Sequence, residues 1–341
     1  MFRNAVNRHD LVRLTRKLRR LEGGRVVAKL RVRGQARVVA HWADIDPSLQ
    51  EWWAIPAVQR RWNTFGSGDP DVTFPMHVAR THLAGRADLR ALSLGCGTGG
   101  NEINWARLGV FREIVGIDIS PERIAAANAE AARLGLDGSL RFRVADAHEL
   151  IEANETYDVV LGLHSLHHFD RLDSTIARVA RLVDPEGFLV VDEFVGPTRF
   201  QWTDAQLAAA DRLLDRLPEE RRRMADGRIK RRAIRPSRLA MRLDDPSEAV
   251  DADRLLPAIK ANFDVVDDRP YGGTVLHVAL SGIAQNFLED DEETRALIAT
   301  CFEAEDEALP RLGHDFAFMV CRPRTPRDDR GVDTAAVGAS Q

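Results

Sequence analysis

The sequence has little of what marks secreted, zinc-binding or membrane-spanning proteins. Its 341 residues include three cysteines, which are far apart, odd in number and without Cys-x-x-Cys spacing: Cys96, Cys301 and Cys321. This pattern predicts neither a disulfide framework nor a zinc site. No apolar run approaches the roughly 18 residues of a membrane span, and the N-terminus lacks the apolar core of a signal peptide. We therefore expect a globular protein of the reducing cytoplasm with a sizeable core.

Charge is distributed unevenly along the chain. The formal net charge is -4, but residues 1–37 carry a net charge of +10 and the rest of the chain -14. Leu11, Leu14, Leu18 and Leu21 recur at helical spacing among the basic residues, which predicts a basic amphipathic helix. Such a helix can dock on its own protein, form a homo-oligomer, contact an anionic membrane or bind nucleic acid. Docking or dimer formation is favoured, and nucleic acid is disfavoured because nothing RNA-specific accompanies the charge.

From about residue 89, strand-like apolar runs alternate with helical stretches. This pattern is typical of a parallel sheet covered by helices on both faces. The predicted strands are residues 91–94, 113–118, 140–144, 157–163, 188–191, 263–266 and 316–321. The alternation stops between residues 196 and 260, which predicts an inserted helical cap.

A glycine-rich loop follows the first predicted strand. Gly95, Gly97, Gly99 and Gly100 lie within six residues. Glycine allows a backbone to approach a ligand closely, and the helix that follows then points its free N–H groups at that ligand. The loop by itself fits the dinucleotide fingerprint and the loop of proteins that bind S-adenosylmethionine (SAM) equally well. Later residues must therefore decide between the two cofactors.

Polar residues stand at the ends of the next strands, where ligands bind in open α/β sheets. Asp118 lies 21 residues beyond Gly97, the spacing at which a carboxylate accepts hydrogen bonds from both ribose hydroxyls of an adenosine. Asp146, at the end of the third strand, can accept from an adenine amino group. Ala147 can donate a backbone N–H to the same ring. Together these positions predict an adenosine site.

At this point the chain resembles the class I SAM-dependent methyltransferases, in particular bacterial enzymes that act on small molecules and glycans. The stretches 94–99, 116–120 and 145–147 are similar to the first three motifs of that superfamily, and 166–169 and 183–188 to later ones. The resemblance implies a seven-stranded, mostly parallel, doubly wound α/β sheet with its last strand antiparallel, and SAM as the cofactor. It assigns cofactor binding to Gly95, Cys96, Gly97, Thr98, Gly99, Asp118, Ile119, Asp146, Ala147 and Leu163.

Ser93 departs from the pattern of that superfamily. Many members have an acidic residue at this position, which helps to bind the amino group of the cofactor. We therefore expect backbone carbonyls near Gly95 or Leu163 to make that contact here. No Asn-Pro-Pro-Tyr/Phe motif follows the fourth strand, which argues against the amino-methylating DNA and glutamine enzymes.

Methyl transfer from a sulfonium requires alignment of the acceptor, removal of its proton and exclusion of water. A neutral histidine is the natural base for a hydroxyl acceptor. The catalytic candidates are His164, His167 and His168, with Glu193 as an alternative base or substrate anchor. We expect no metal site, because adjacent histidines should diverge and no nearby Asp/Glu pair completes one. Weaker candidates for the acceptor pocket are Arg199, Trp202, Tyr271 and His277.

The sequence therefore predicts a methyltransferase that acts on an oxygen of a small or medium-sized acceptor such as a sugar, a glycan or a secondary metabolite. An RNA-binding methyltransferase and a SAM-binding regulatory module without turnover are the alternatives. The predicted divisions are a basic helical extension at 1–45, a helical lid at 46–85, a SAM-binding core at 86–195, a helical cap at 196–260, the rest of the core sheet at 261–324 and a disordered tail at 325–341. A cytoplasmic protein is expected, with peripheral membrane contact through residues 1–37 as an option.

Overall fold

The computed structural model describes residues 51–147, 155–239, 241 and 247–324. The predicted basic helix and the C-terminal tail lie outside these residues, so both stay predictions. In the described ranges, none of the helices combines the length and the apolar character that crossing a bilayer requires.

In the described part of the chain, seven strands form one sheet with the order β3-β2-β1-β4-β5-β7-β6. The strands are β1 (Leu89–Leu94), β2 (Phe111–Asp118), β3 (Leu140–Val144), β4 (Tyr157–Leu163), β5 (Val183–Phe194), β6 (Phe263–Pro270) and β7 (Phe316–Pro323). The first five strands are parallel, and β7 is antiparallel to both β5 and β6. The predicted fold class, with its antiparallel last strand, is confirmed.

The helices fill the connections between these strands. They are α1 (Pro56–Ser67), α2 (Phe74–Thr81), α3 (Gly100–Ala106), α4 (Pro121–Arg133), α5 (Leu172–Leu182), α6 (Asp204–Arg216), α7 (Ala252–Asn262), α8 (Leu276–Leu280) and α9 (Glu292–Leu312). Helix α4 begins as its sequence indicates, because the Ser120 side chain accepts a hydrogen bond from the Arg123 N–H and Pro121 occupies the first turn.

Two apolar layers cover the sheet, one on each face. Successive side chains of a strand point to opposite faces, and β7 shows this directly. Phe318 and Val320 join the layer built by α1 to α4, whereas Met319 and Cys321 join the layer built by α5 and α7. Helix α7 thus packs beside α5 under the sheet, although most of its residues lie in the range 196–260 that was predicted to form a cap.

The described part of the predicted lid packs beside β7. The rings of Trp52 and Trp62 contact Phe316, and the ring of Phe74 stacks on Phe318 at 4.4 Å. Strands β4 and β5 separate β7 from β1 and its glycine loop. Aromatic packing therefore holds the described part of this segment at the β7 side of the sheet, and its predicted role as a lid stays a prediction.

Phe318 tests how far the fold depends on this packing. Its side chain is completely buried, so Phe318→Ala is expected to lower the free energy of unfolding by about 3–5 kcal/mol, from lost apolar burial and the cavity left behind. Val266→Ala is the control, since Val266 is 45% exposed and such surface changes stay within about 0.5 kcal/mol. Chemical denaturation of both variants measures the difference; equal midpoints would contradict the assigned packing.

Candidate functional site

The glycine loop brings the end of β1 against its neighbours. Gly95 has φ of +69°, and a Cβ there would lie 2.8 Å from the Cβ of Ser165, just beyond β4. Gly99 has φ of +80°, and a Cβ there would lie 2.5 Å from the ring of Phe142 on β3. Both positions therefore require glycine. Burial raises the pKa of the Cys96 thiol between them, so this thiol is not a nucleophile.

Asp118 ties the glycine loop to the end of β2. Its carboxylate accepts hydrogen bonds from the N–H of Gly97 at 3.0 Å and the N–H of Ser120 at 2.9 Å. The Asp118 carbonyl accepts from the Ala145 N–H, which sets the end of β3 beside it. The structure thus brings the predicted cofactor residues to the carboxyl ends of four adjacent strands: Gly95, Cys96, Gly97, Thr98, Gly99, Asp118, Ile119, Asp146, Ala147 and Leu163.

A second carboxylate lies behind the loop and was not singled out from the sequence. Glu102, in the first turn of α3, is 1% exposed, and its Oε1 accepts a 2.6 Å hydrogen bond from the Ser93 hydroxyl. Its Oε2 is buried without a hydrogen-bond partner. Burial raises the pKa of Glu102 to about 7. The signal in the sequence was an acidic residue two positions after the glycine loop. The strand that precedes the loop has no acidic residue of its own.

Glu193, at the end of β5, holds the turn that follows β4. Its Oε1 accepts hydrogen bonds from the N–H groups of Ser165 and Leu166, both at 2.6 Å, and its Oε2 lies 2.6 Å from Nδ1 of His167. The Glu193 side chain is completely buried. This geometry suits a positioning group, because a carboxylate on Nδ1 fixes the orientation of the imidazole and favours the tautomer with the proton on that nitrogen.

His167 and His168 meet an acidic residue from a distant part of the chain. Their ring centroids are 4.2 Å apart, and Oε1 of Glu248 lies 3.6 Å from Nε2 of His167. Ser247 Oγ lies 3.4 Å from Nδ1 of His168. The expectation that the two histidines diverge was wrong, because both belong to the tight 3-10 turn Leu166–His168 rather than to an α-helix. Ligand atoms of His167, His168 and Glu248 all lie within 4.8 Å of one another, so this trio could hold a cation.

His164 and Tyr271 are not members of this trio, and both contact Asp192. His164 has φ of +53°, its N–H donates to the Asp192 carbonyl at 2.7 Å, and its Nε2 is 3.5 Å from Asp192 Oδ2. The Tyr271 hydroxyl donates to Asp192 Oδ1 at 2.5 Å. Burial raises the pKa of Asp192. Tyr271 is fully buried against Trp62 and packs as a core residue, not as the pocket residue that the sequence predicted.

Two of the other predicted pocket residues belong to an aromatic cluster at the ends of β5 and β7. His277 lies within 6 Å, between ring centroids, of each of the other members: Trp52, Phe194, Phe200, Trp202 and Phe316. Burial lowers the pKa of His277 to about 3. His277 is therefore a neutral ring at pH 7. The cluster reaches the trio through Phe194, whose ring is 6.3 Å from that of His167.

Arg199 fastens the segment that carries Glu248. Its backbone N–H donates to the Ala249 carbonyl at 2.7 Å, and its Nη1 donates to the Glu248 carbonyl at 3.1 Å. A further hydrogen bond holds the same segment, because the Val250 N–H donates to the His167 carbonyl at 3.2 Å. Arg199 thus supports the trio, a role that its sequence position alone did not reveal.

Comparison with known proteins gives this site a context. Residues 92–191 match the family model described as a methyltransferase domain. A 27-O-demethylrifamycin SV methyltransferase of Amycolatopsis mediterranei is 36% identical over 117 residues, which are 33% of this chain and 43% of that protein. A ubiquinone biosynthesis O-methyltransferase of Azorhizobium caulinodans is 34% identical over 115 residues, 34% of this chain and 44% of that protein. The chain thus spans less than half the length of these curated relatives.

The chain is also similar to solved structures, at lower sequence identity than to these relatives. A geranyl diphosphate C-methyltransferase from Streptomyces coelicolor has a TM-score of 0.47 and 15% identity, covering 85% of this chain and 97% of that one. The [4+2]-cyclase SpnF has a TM-score of 0.43 and 20% identity, covering 74% and 80%.

Proposed function

We propose that the chain, whose residues 92–191 form a class I SAM-dependent methyltransferase domain, transfers a methyl group to a hydroxyl oxygen of a small or medium-sized acceptor. One observation carries the choice of oxygen. The pair of Glu193 and His167 presents a basic ring nitrogen at the end of β4, beside the loop that binds the cofactor. A hydroxyl acceptor needs such a base, because it must lose its proton as the new bond forms.

The residues at the strand ends fit SAM. In this proposal the loop from Gly95 to Gly99 holds the methionine end, Asp118 binds the ribose hydroxyls, and Asp146 and Ala147 bind the adenine. SAM supplies the electrophilic methyl group. We assign its ammonium group to Glu102, since a buried carboxylate oxygen without a partner suits a cation and Ser93 supplies no charge. This assignment replaces the contact with backbone carbonyls that the sequence predicted.

His167 acts as the base in this proposal, and Glu193 positions it. As the acceptor hydroxyl attacks the methyl group, Nε2 of His167 takes its proton, and Glu193 stabilises the resulting imidazolium through the Nδ1–H group. Glu193 itself is not the base, because its carboxylate already accepts three hydrogen bonds and is buried.

The surroundings of His167 indicate the class of acceptor. Phe200, the half-buried member of the aromatic cluster, offers apolar surface on one side, and Ser247, Glu248 and His168 offer polar groups on the other. A ring-containing acceptor with an apolar body and more than one hydroxyl matches both sides. Secondary metabolites with hydroxylated rings meet this description better than plain sugars, which lack the apolar face area that such a surface would cover.

The first test concerns the ribose contact. Asp118→Ala is expected to weaken SAM binding by about 100-fold or more, because each charge-assisted hydrogen bond contributes about 1.5–3 kcal/mol and every 1.4 kcal/mol is tenfold in affinity. Calorimetric titration with SAM measures the change. Asp137→Ala, at an exposed turn, is the control and should bind as the wild type does. Unchanged affinity in Asp118→Ala would contradict the assignment of the cofactor site.

The second test concerns Glu102 and pH. Below its pKa of about 7 the carboxyl group is protonated, and above it the group is ionised and can pair with the ammonium. SAM affinity should therefore rise between pH 6 and pH 8, approaching tenfold per pH unit at the acidic end. Glu102→Gln should remove this rise and bind more weakly at pH 8, whereas the exposed Glu186→Gln should keep it. A rise that persists in Glu102→Gln would refute the pairing.

The third test separates a base from a cation ligand. His167→Gln is expected to lower kcat by about 10²–10⁴-fold, the usual contribution of general base catalysis, with an unchanged dissociation constant for SAM. His168→Gln should lose less. Methyl transfer to the acceptor by enzyme stripped with EDTA should stay at the wild-type rate. If stripping abolishes transfer and an added divalent ion restores it, the trio binds a cation instead; full activity of His167→Gln would also exclude the base.

A further inference from the structure

A second group of titratable side chains lies away from the methyl-transfer site. His77 is on α2, His82 caps the end of that helix, and Asp267 is on β6. Nε2 of His77 and Nε2 of His82 lie 2.7 Å and 3.3 Å from the same oxygen, Oδ2 of Asp267. Their side chains are 11%, 16% and 9% exposed. Two imidazoles and one carboxylate, brought from segments 185 residues apart or more, thus converge on one point that solvent can still reach.

A β-bulge directs Asp267 to this point. The register of β6 against β7 slips between Val265 and Asp267, so that Val265 faces Cys321 and Asp267 faces Val320. Cys321 and Val320 point to opposite faces of the sheet. Without the extra residue, Val265 and Asp267 would share the face away from α2. The bulge turns Asp267 towards α2, and bulges of this kind commonly re-aim a side chain.

The end of α2 likewise directs the two histidines to this point. Residues five apart do not share a face of a regular helix. Helix α2 ends at Thr81, and His82 has φ of -113°, which lets its ring turn to the side that His77 occupies. The ring planes are nearly perpendicular, at 78°, and the ring of His82 packs edge-on against Phe188. Both imidazoles are therefore held by their surroundings.

The carboxylate is also oriented from outside the group. Nε of Arg269 donates to Oδ1 of Asp267 at 2.5 Å, so Oδ1 is held and Oδ2 is presented to the histidines. A carboxylate whose second oxygen is fixed by an outer partner is the arrangement found around protein metal ligands.

We propose that His77, His82 and Asp267 bind a divalent first-row cation, best matched by Zn²⁺, which clamps α2 to the edge strand β6. Two imidazole nitrogens and one carboxylate oxygen are a common zinc ligand set, with water in the fourth position. Zinc bonds of about 2.0–2.1 Å place tetrahedral ligands about 3.3 Å apart. The separation of His82 Nε2 from Asp267 Oδ2 already equals this spacing, and an outward rotation of His77 would lengthen its 2.7 Å separation from the same oxygen to match. The ligand atoms of the three residues all lie within 4.8 Å of one another.

The test compares two variants of the full-length protein after metal has been removed with EDTA. His168→Gln disables the trio beside the aromatic cluster and serves as the reference. His82→Gln is added to it to make the double variant. In a calorimetric titration with zinc, the reference should show a site whose zinc affinity is more than 100-fold lower in the double variant. This loss is larger than the 10–100-fold decrease in affinity that follows from removing an outer-sphere partner. Equal zinc affinity and stoichiometry in the two would overturn the proposal.

Cobalt and crystals provide readouts that do not depend on how well the double variant folds. Co²⁺ added to the metal-free His168→Gln protein should give the intense visible absorption of a four-coordinate ion, which one equivalent of Zn²⁺ abolishes. In zinc-soaked crystals of the wild-type protein, an anomalous peak is expected between His77, His82 and Asp267. Absence of a peak there at saturating zinc would show that the three side chains form only a hydrogen-bonded group. Neither readout involves methyl transfer, so both are independent of the proposed function.

Discussion

The buried carboxylate of Glu193 is the interaction on which the candidate active site depends. It takes three donors from one turn: two backbone N–H groups and the imidazole of His167. Removing any carboxylate from water is costly, and only a full set of hydrogen bonds compensates for it. Because β5 is paired on both sides by β4 and β7, the end of this strand is rigid. The turn after β4 is therefore fixed to a rigid element rather than left as a loose loop.

The two halves of the sheet carry different parts of the candidate site. Strands β1 to β3 carry the glycine loop, Asp118 and Asp146, whereas β5 and β7 carry the aromatic cluster, and β4 with its His167 stands between them. In the proposed reaction the methyl group passes from one half to the other, and β4 is the strand where the halves meet. Each half contains a buried acidic residue, Glu102 in one and Glu193 in the other. The hydrogen-bond partners of both lie at or just beyond the ends of neighbouring strands.

The core elements followed from local patterns in the sequence. Strands β3 and β4 have the predicted bounds, because β3 alternates apolar and basic residues and β4 is a short, nearly continuous apolar run. Strand β6 was predicted to stop at residue 266 but continues to Pro270. Its second half reads Asp-Asp-Arg-Pro, and an edge strand tolerates polar residues that a central strand does not. The apolar stretch 274–288 does not form one helix, because α8 ends at Leu280 and Gly282 follows with φ of +78°.

The candidate site was predictable where a fixed spacing reports a fixed geometry, as for Asp118 after the glycine loop. It was not predictable where distant segments meet. Glu248 reaches His167 across 81 residues, and Asp267 reaches His77 across 190. The sequence holds 52 acidic residues, and nothing local distinguishes these two. Tyr271 failed for the opposite reason: its hydroxyl found a buried partner in Asp192, so a residue that resembled a ligand contact is part of the core.

The position of β7 has a consequence for how the molecule is made. This strand is the last element of the described chain, yet it lies inside the sheet, and β6 is paired through it alone in that part of the chain. Trp52 and Phe74, near the other end, pack on residues of the same strand. Contacts of such long sequence separation form late and slow folding. During synthesis β5 therefore exposes an unpaired edge until β7 has emerged from the ribosome, and the aromatic cluster, which includes Phe316 of β7, is completed only then.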